Sequence, residues 1–423
     1  MLKILNKIKN NTILYVFAGL ILIMFPTTLY TQSDKDKTIV VTTIGIDKSE
    51  NDEYEVSILA VIPKGSNDIN ANLEVFSAKG KTIAESLNNI SANVGKETSL
   101  AHCDCIILSK DIMKDNTLQV LDYFIRTANL TTNATLVGTD GKSQDLINAT
   151  KSSNNLLDLS IKNIISFQEE RSLLEHITIE RFFRKHYTKS STFTIPMLST
   201  KSPEGGSNES SGGGAGSEGN SPQGDSGGSG GSSGSSGSQK KIVNDSQVGL
   251  IKNGKFAGTL SEEELFIYNL ISPTSKYIYI EVEDINDANV NNSTEIFEQV
   301  EKYIVPHYKF DNDGNPYVEY YITLSLMLDE ISSTNNYHYS AINGLNNYIT
   351  DVVEKKIQNQ ITDKLNKTIS IMQEKKYDIL NLYDRFNAYR YTDFKKYLES
   401  LDTEEDFMSN IYFKINTGIN FVL

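Results

Sequence analysis

Three short clusters hold residue types that could do chemistry. Cys103-Asp104-Cys105 offers two thiols, Glu262-Glu263-Glu264 three carboxylates, and Asp311-Asn312-Asp313-Gly314-Asn315 the opening of a calcium-type loop. Side chains two apart on a strand face the same way. A disulfide across that spacing would be strained, and two thiolates lack the further donors a zinc site needs. The pair is therefore read as two small apolar residues on the buried face of a strand. The glutamates follow Ser261, where acids complement the start of a helix, and no histidine accompanies them. In the calcium-type stretch the glycine comes two positions early and Ile322 stands where a bidentate glutamate belongs, so it reads as a hairpin turn. The five histidines, at 102, 176, 186, 307 and 338, are scattered. No H-E-x-x-H, G-x-S-x-G or Walker motif occurs. No catalytic, cofactor-binding or metal-ligating residue is assigned, no cofactor is expected, and the chain is read as not an enzyme.

The elements around these clusters follow from periodicity. Lys37 to Asp47 and Tyr54 to Ile62 are β-branched and alternate, which predicts an antiparallel pair turning at Asn51-Asp52-Glu53. Leu73 to Ala78 predicts a third strand. Thr82 and Glu85 fit a capping box, opening a helix through Ile83, Leu87, Ile90 and Val94. His102 to Leu108 and Asn133 to Gly138 read as strands. Leu118 to Arg126 reads as a helix with Val120, Leu121, Phe124 and Ile125 inward, and Lys142 to Thr150 as another. Asp158 to His186 reads as one helix whose basic end carries Arg181, Arg184, Lys185 and Lys189. A role for that end against anionic lipid or an acidic partner is the less ordinary reading of it.

Gln247 to Leu260 carries Asn253-Gly254 between two apolar pieces, the signature of a tight type I′ hairpin. Lys276 to Val282 predicts a strand, Ser293 to Ile304 a helix, and Tyr308 to Asp311 with Pro316 to Glu330 a hairpin. The longest helix is predicted over Tyr339 to Lys375, with a stripe from Ile342 to Met372 lying on its own sheet. Tyr377 to Tyr389 and Tyr391 to Leu401 read as short helical pieces. Asn410 to Phe421 reads as a closing strand broken by Gly418.

The first apolar run, Ile13 to Phe25, follows Lys3, Lys7 and Lys9, and no charge appears from Asn10 to Ser33. That window is long enough for a bilayer-spanning helix with a cytoplasmic N-terminal flank. Neither a small-x-small cleavage pattern nor a lipobox cysteine follows, so an uncleaved signal anchor is expected over a cleaved signal. A net charge of -14 argues against nucleic-acid binding. The expected fold is α+β: an N-terminal transmembrane anchor, then a multi-domain ectodomain of mostly antiparallel sheets flanked by helices. The divisions are an anchor over 1–36, an N-terminal α+β domain over 37–200, and a Gly/Ser-rich linker over 201–241. A small middle domain over 242–286 and a C-terminal α+β domain with the long helix over 287–423 complete them. The linker is too polar to bury a core. Deleting Glu204 to Ser238 is expected to leave the thermal unfolding of the ectodomain nearly unchanged, because closure entropy grows slowly with loop length. A large loss in a melting experiment would show the tract to be structural.

Several motifs, in order, carry a resemblance. They are Ile44-Gly45-Ile46-Asp47, Ser77 to Leu87 (SAKGKTIAESL), His102 to Ser109 (HCDCIILS) and Leu121 to Arg126 (LDYFIR). Val248 to Glu264 follows, with its K-x-G-x-x-x-G-T-L-x-x-E-E pattern, and then Lys376-Tyr377-Asp378-Ile379-Leu380 and Thr417-Gly418. Together they resemble the C subunit of the spore germinant receptors, the Ger(x)C family. The resemblance covers nearly the whole ectodomain, with the Gly/Ser tract as an insertion. It implies a non-catalytic, three-domain α+β protein on the outer face of the spore inner membrane, assembled with multi-pass A and B subunits into a nutrient receptor. It assigns neither germinant binding nor ligand contacts to particular residues. The family is typically lipid-anchored, and here the apolar run would substitute. Three other readings compete, one of them a eukaryotic type II glycoprotein, suggested by sequons such as Asn133-Ala134-Thr135 and Asn366-Lys367-Thr368. A free-standing extracytoplasmic sensor requires a sizeable apolar pocket with a few converging polar groups. An envelope hydrolase requires a cleft with His102 or His307 beside a carboxylate.

Overall fold

The computed structural model describes residues 38–62, 72–115, 117–126, 130–153, 161–171, 173–201, 242–272, 275, 277–287, 290–333 and 351–422. The expected anchor over 1–36, the Gly/Ser tract, and the first part of the long helix with Ile342, Leu345 and Ile349 lie outside them. No described helix is long and apolar enough to cross a membrane.

The first sheet is built from β1 (Thr38–Lys48), β2 (Tyr54–Ile62), β3 (Asn72–Gly80), β4 (Glu97–Ser99), β5 (Cys105–Ser109), β6 (Thr135–Thr139), β7 (Thr192–Lys201), β8 (Ile242–Lys252) and β9 (Lys255–Thr259). Its order is β3-β2-β1-β5-β6-β7-β8-β9, with β4 beside β1. The antiparallel expectation holds on the flanks of this sheet and gives way at its centre. β1 pairs parallel with β4 and β5, β5 with β6, and β6 with β7, while only the flanks are antiparallel. A parallel centre must be covered on both faces, and β5 and β6 are buried along their whole length. One face carries Ile44, Ile46, Ile106 and Leu108 under α1 (Ile83–Val94), α2 (Lys110–Asp115) and α3 (Thr117–Arg126). The other carries Leu59, Cys105, Ile107 and Val137 under α4 (Ser143–Ser153) and α5 (Ile161–Glu170). Ile125, expected inward on α3, is exposed.

The single helix expected over Asp158 to His186 is two, α5 and α6 (Ile179–His186). Between them the chain changes faces. Leu174 packs with the α5 side, whereas Ile177, Ile179 and Phe182 join the opposite core. The crossing is pinned by a Thr135–Thr178 bridge, with Leu136 N–H donating to the Ile177 carbonyl at 2.8 Å. A continuous helix would have to give up those sheet bonds.

The second sheet runs β10-β11-β12-β13. Its strands are β10 (Tyr279–Asp287), β11 (Val290–Phe310), β12 (Pro316–Ser333) and β13 (Tyr412–Val422), with α7 (Glu262–Ile271), α8 (Asp351–Lys375), α9 (Leu382–Tyr389) and α10 (Tyr391–Glu399). The helix expected over Ser293 to Ile304 is part of strand β11. Ile296, Val300 and Ile304 stand four apart and imitate a helical stripe. Two irregularities in the pairing with β12, at Ile296/Phe297 and Gln299/Glu301, break the strict alternation that would have revealed a strand. The Asp311 turn closes the hairpin as expected. Its carboxylate accepts from the Asp313 and Asn315 N–H groups at 3.0 and 2.8 Å, and Gly314 takes φ 85°. β13 lies parallel to β12 without interruption, Gly418 pairing with Thr323, so the expected break does not occur.

β12 buries Val318, Tyr320, Ile322, Leu324 and Leu326 on one face. Against this core lie Val353, Ile357, Ile361, Leu365, Ile369 and Met372 of α8, the stripe read from the sequence. Each such side chain contributes about 1.5–3 kcal/mol by leaving water. Residues 242–286, expected as a middle domain, divide between the sheets: β8 and β9 extend the first, and β10 is an edge of the second.

Candidate functional site

The motif residues first resolve into buried caps. Asp47, at the end of the Ile44–Asp47 motif, is 3 % exposed. Its carboxylate accepts from the Ser143 N–H and hydroxyl, both at 2.8 Å, and from the Gln144 N–H at 3.4 Å. It closes the open amides at the start of α4 from ninety-six residues away. Gly45 makes room for that helix, since a Cβ there would stand 2.5 Å from the Ser143 hydroxyl oxygen. Asp378, in the Lys376–Leu380 motif, caps α9 in the same way. It accepts from the Leu382 and Tyr383 N–H groups at 2.8 and 2.9 Å. Burial pushes its carboxyl up to about 6 despite those bonds.

The Asn253-Gly254 turn has φ 51° and 75°, the left-handed pair of a type I′ hairpin. Ser261 and Glu264 then close a full capping box on α7. Glu264 also accepts a hydrogen bond from the Tyr377 hydroxyl, and the Lys252 ammonium donates to the Lys376 carbonyl at 2.5 Å. The hairpin motif and the late Lys376–Leu380 motif thus meet at one seam between the sheets. Ser190 donates to Asn381 Oδ1 at 2.7 Å, and the Asp384 carboxylate accepts from the Lys189 and Ser190 N–H groups.

A cleft of about 940 Å³ opens along this seam. Phe193, Ile271, Ile304, Tyr308, Tyr320 and Ile379 supply its apolar walls; Arg184, Lys185, Arg385 and Glu175 supply the charged groups. Glu175 takes three donors on one oxygen, Oε2. It accepts from Lys185 at 2.7 Å, from Thr194 at 3.3 Å and from the Tyr268 hydroxyl, whose own proton is held by burial and that carboxylate. Tyr308 stacks on Tyr389 at 5.4 Å, and burial pushes its hydroxyl up to about 12.

The clusters singled out in the sequence do not gather here. Cys103 precedes β5 and joins one core, whereas Cys105 joins the core on the other face. Both are free thiols, and burial pushes Cys103 up to about 12. They are small apolar residues as expected, but not on one face. The three glutamates also part: Glu264 turns inward to its cap and Tyr377, while Glu263 pairs with Lys367 at 2.6 Å. Of the basic end of α6, Arg181 turns to Glu169 and the His176 carbonyl, while Arg184 and Lys185 line the cleft. His307 reaches the cleft, but Glu319, opposite it in the sheet, is taken up by Lys309 at 2.5 Å. Glu175, Tyr268, Tyr320 and Arg385 carried no sequence signal. They come from four distant elements, and only Arg184 and Lys185 were visible beforehand as a basic pair.

Comparison with known proteins gives two consecutive family matches. Residues 32–200 match the family described as spore germination protein N-terminal domain. Residues 246–420 match the one described as spore germination B3/GerAC like, C-terminal. No curated protein matches. A solved structure, the crystal structure of the GerBC protein, is 15% identical with a TM-score of 0.46, covering 90% of this chain and 97% of that one.

Proposed function

This chain belongs to the Ger(x)C family of spore germinant-receptor C subunits, and from that premise we propose that it is a non-catalytic subunit holding multi-pass A and B partners in one receptor. The observation that carries the reading is the succession of the two family matches, which meet across the Gly/Ser tract and together take in both sheets. The motif residues support it. Gly45, Asp47, Glu264 and Asp378 are occupied in turns, caps and the seam, which is the work of a scaffold that must keep its surface in register. On this reading the ectodomain faces outward from the spore inner membrane, tethered by its N-terminal apolar run, and its two sheets with their helices act as one assembly surface.

The test is extraction of the tagged full chain from spore membranes with mild detergent, followed by identification of co-purifying proteins by mass. Two multi-pass proteins encoded beside it are expected in the eluate. Recovery of the chain without either would overturn the assembly role.

A further inference from the structure

We propose that the seam cleft is a binding site for a small amphipathic carboxylate, an apolar body bearing one acid group. The inference rests on the cleft itself and goes beyond the assembly role. Its volume of about 940 Å³ lies within the size range of ligand sites, and its walls are largely aliphatic and aromatic. Its charge balance is the second observation. Among the described residues Glu175 is the one lining carboxylate, and its charge is matched by Lys185 at 2.7 Å, with Thr194 and Tyr268 donating to the same oxygen. Among the described residues Arg184 pairs with Glu180 alone, 3.7 Å away on its own helix. Arg385 forms no ion pair among the described residues, and the nearby Asp384 carboxylate is directed to backbone amides. Arg184, Lys185 and Arg385 thus outnumber Glu175 among the lining residues, and the buried Asp378 behind the wall offsets this only in part, on a protein whose net charge is -14. Such a concavity concentrates anions.

The third observation is Tyr320. Its side chain is 1 % exposed and lines the cleft, yet its hydroxyl makes no hydrogen bond among the described residues. A hydroxyl that opens only onto a cleft is served by water or by whatever fills it. A carboxylate only accepts, and its two oxygens match the fork of a guanidinium while leaving lone pairs for a hydroxyl donor. A bare phosphate would leave the apolar walls uncovered, and an organic cation would meet two arginines.

The chain contains no tryptophan, so indole emission reports a ligand alone. The probe is indole-3-butyrate, titrated by fluorescence anisotropy against the full chain in detergent micelles, with protein-free micelles as the blank. Saturable binding is expected. The primary amide of the same probe, equal in shape but uncharged, is expected to bind at least tenfold more weakly, and inorganic phosphate to compete at least tenfold less well than unlabelled phenylbutyrate. Arg385→Gln is expected to weaken the acid about tenfold and Tyr320→Phe about threefold. Arg390→Gln, outside the cleft and paired with Asp393, should leave it unchanged. Absence of saturable binding, equal binding of acid and amide, or an Arg385→Gln variant that melts like the wild type and binds as well would each overturn the proposal. The acid–amide comparison uses unaltered protein, so a folding defect in a variant does not blunt it. Loss of probe binding alone leaves co-purification with the membrane partners untouched, and the two readings therefore fail separately.

Discussion

Replacing Asp378 by alanine is expected to destabilise the second sheet region by about 2–4 kcal/mol, and to cost more at pH 5 than at pH 7.5. The first part follows from the two amides, Leu382 and Tyr383, that lose their acceptor in a buried place. An orphaned buried donor costs about 1–3 kcal/mol and a lost N-cap about 0.5–2 kcal/mol. The pH dependence follows from the carboxyl being raised from 3.8 to about 6 in the fold. Between those values the folded chain holds a proton that the unfolded chain has released. Wild-type stability from this group is therefore fullest below 3.8 and is lost as pH rises through about 6. Over the window from pH 5 to 7.5 the loss amounts to about 1 kcal/mol. Alanine has no such proton, so the gap between the two proteins narrows as pH rises. Urea unfolding at the two pH values measures the gap, and amide exchange at Leu382 and Tyr383 locates it. An equal gap at both would show that the carboxyl is not raised. No gap at either would show that α9 begins without its cap.

Gly45→Ala is expected to cost about 3 kcal/mol for the addition of one methyl group. The new Cβ would stand 2.5 Å from Ser143 Oγ and 2.9 Å from both Ser143 Cβ and Ile147 Cδ1. β1 is fixed on both sides by β2 and β5, so the helix must give way. Overpacking of this kind costs about 1–3 kcal/mol. Moving Ser143 also strips Asp47 of its three donors, adding a share of a capping loss. Ser143→Gly removes the two closest obstacles together. The double variant is therefore expected to be less destabilised than the sum of the singles, with thermal melts of the four proteins closing the cycle. Strict additivity would mean that the methyl group clashes elsewhere.

Both substitutions fall in motifs that were visible in the sequence, and in both the sequence concealed why. Ile44-Gly45-Ile46-Asp47 reads as a strand with a glycine and an acid at its end. Nothing local says that the acid serves a helix at residue 143, because that pairing exists only once β1, β5 and β6 lie side by side. The Lys376–Leu380 motif is similar, since Tyr377 and Asp378 look alike from the outside yet serve α7 and α9 respectively. Local capping was easier to read. Thr82 accepts from the Glu85 N–H as expected, although Glu85 returns to the Lys81 N–H and not to that of Thr82. The Ser261–Glu264 box closes in full. These contacts span three or four residues, within reach of sequence pattern.

The errors have one physical source, the priority of sheet bonding over helical periodicity. Ser293 to Ile304 has helical spacing, but it faces a partner strand along its whole length, and bulges hid the alternation. Asp158 to His186 breaks because Ile177 and Thr178 bond to the start of β6. Cys103 and Cys105 part because the first lies before the strand begins.

Composition and order alone determined that this is an acidic α+β chain, that it is interrupted near residues 201–241, and that its motifs run in the order of the Ger(x)C family. Those properties are carried by runs of residues and their succession, which no folding event alters. Tertiary structure decided the parallel centre of the first sheet, the division of residues 242–286 between two sheets, and the cleft. The cleft is the clearest case. Glu175, Tyr268, Tyr320 and Arg385 lie far apart along the chain, and their charge balance and unpaired hydroxyl come into being only when the sheets meet at the seam.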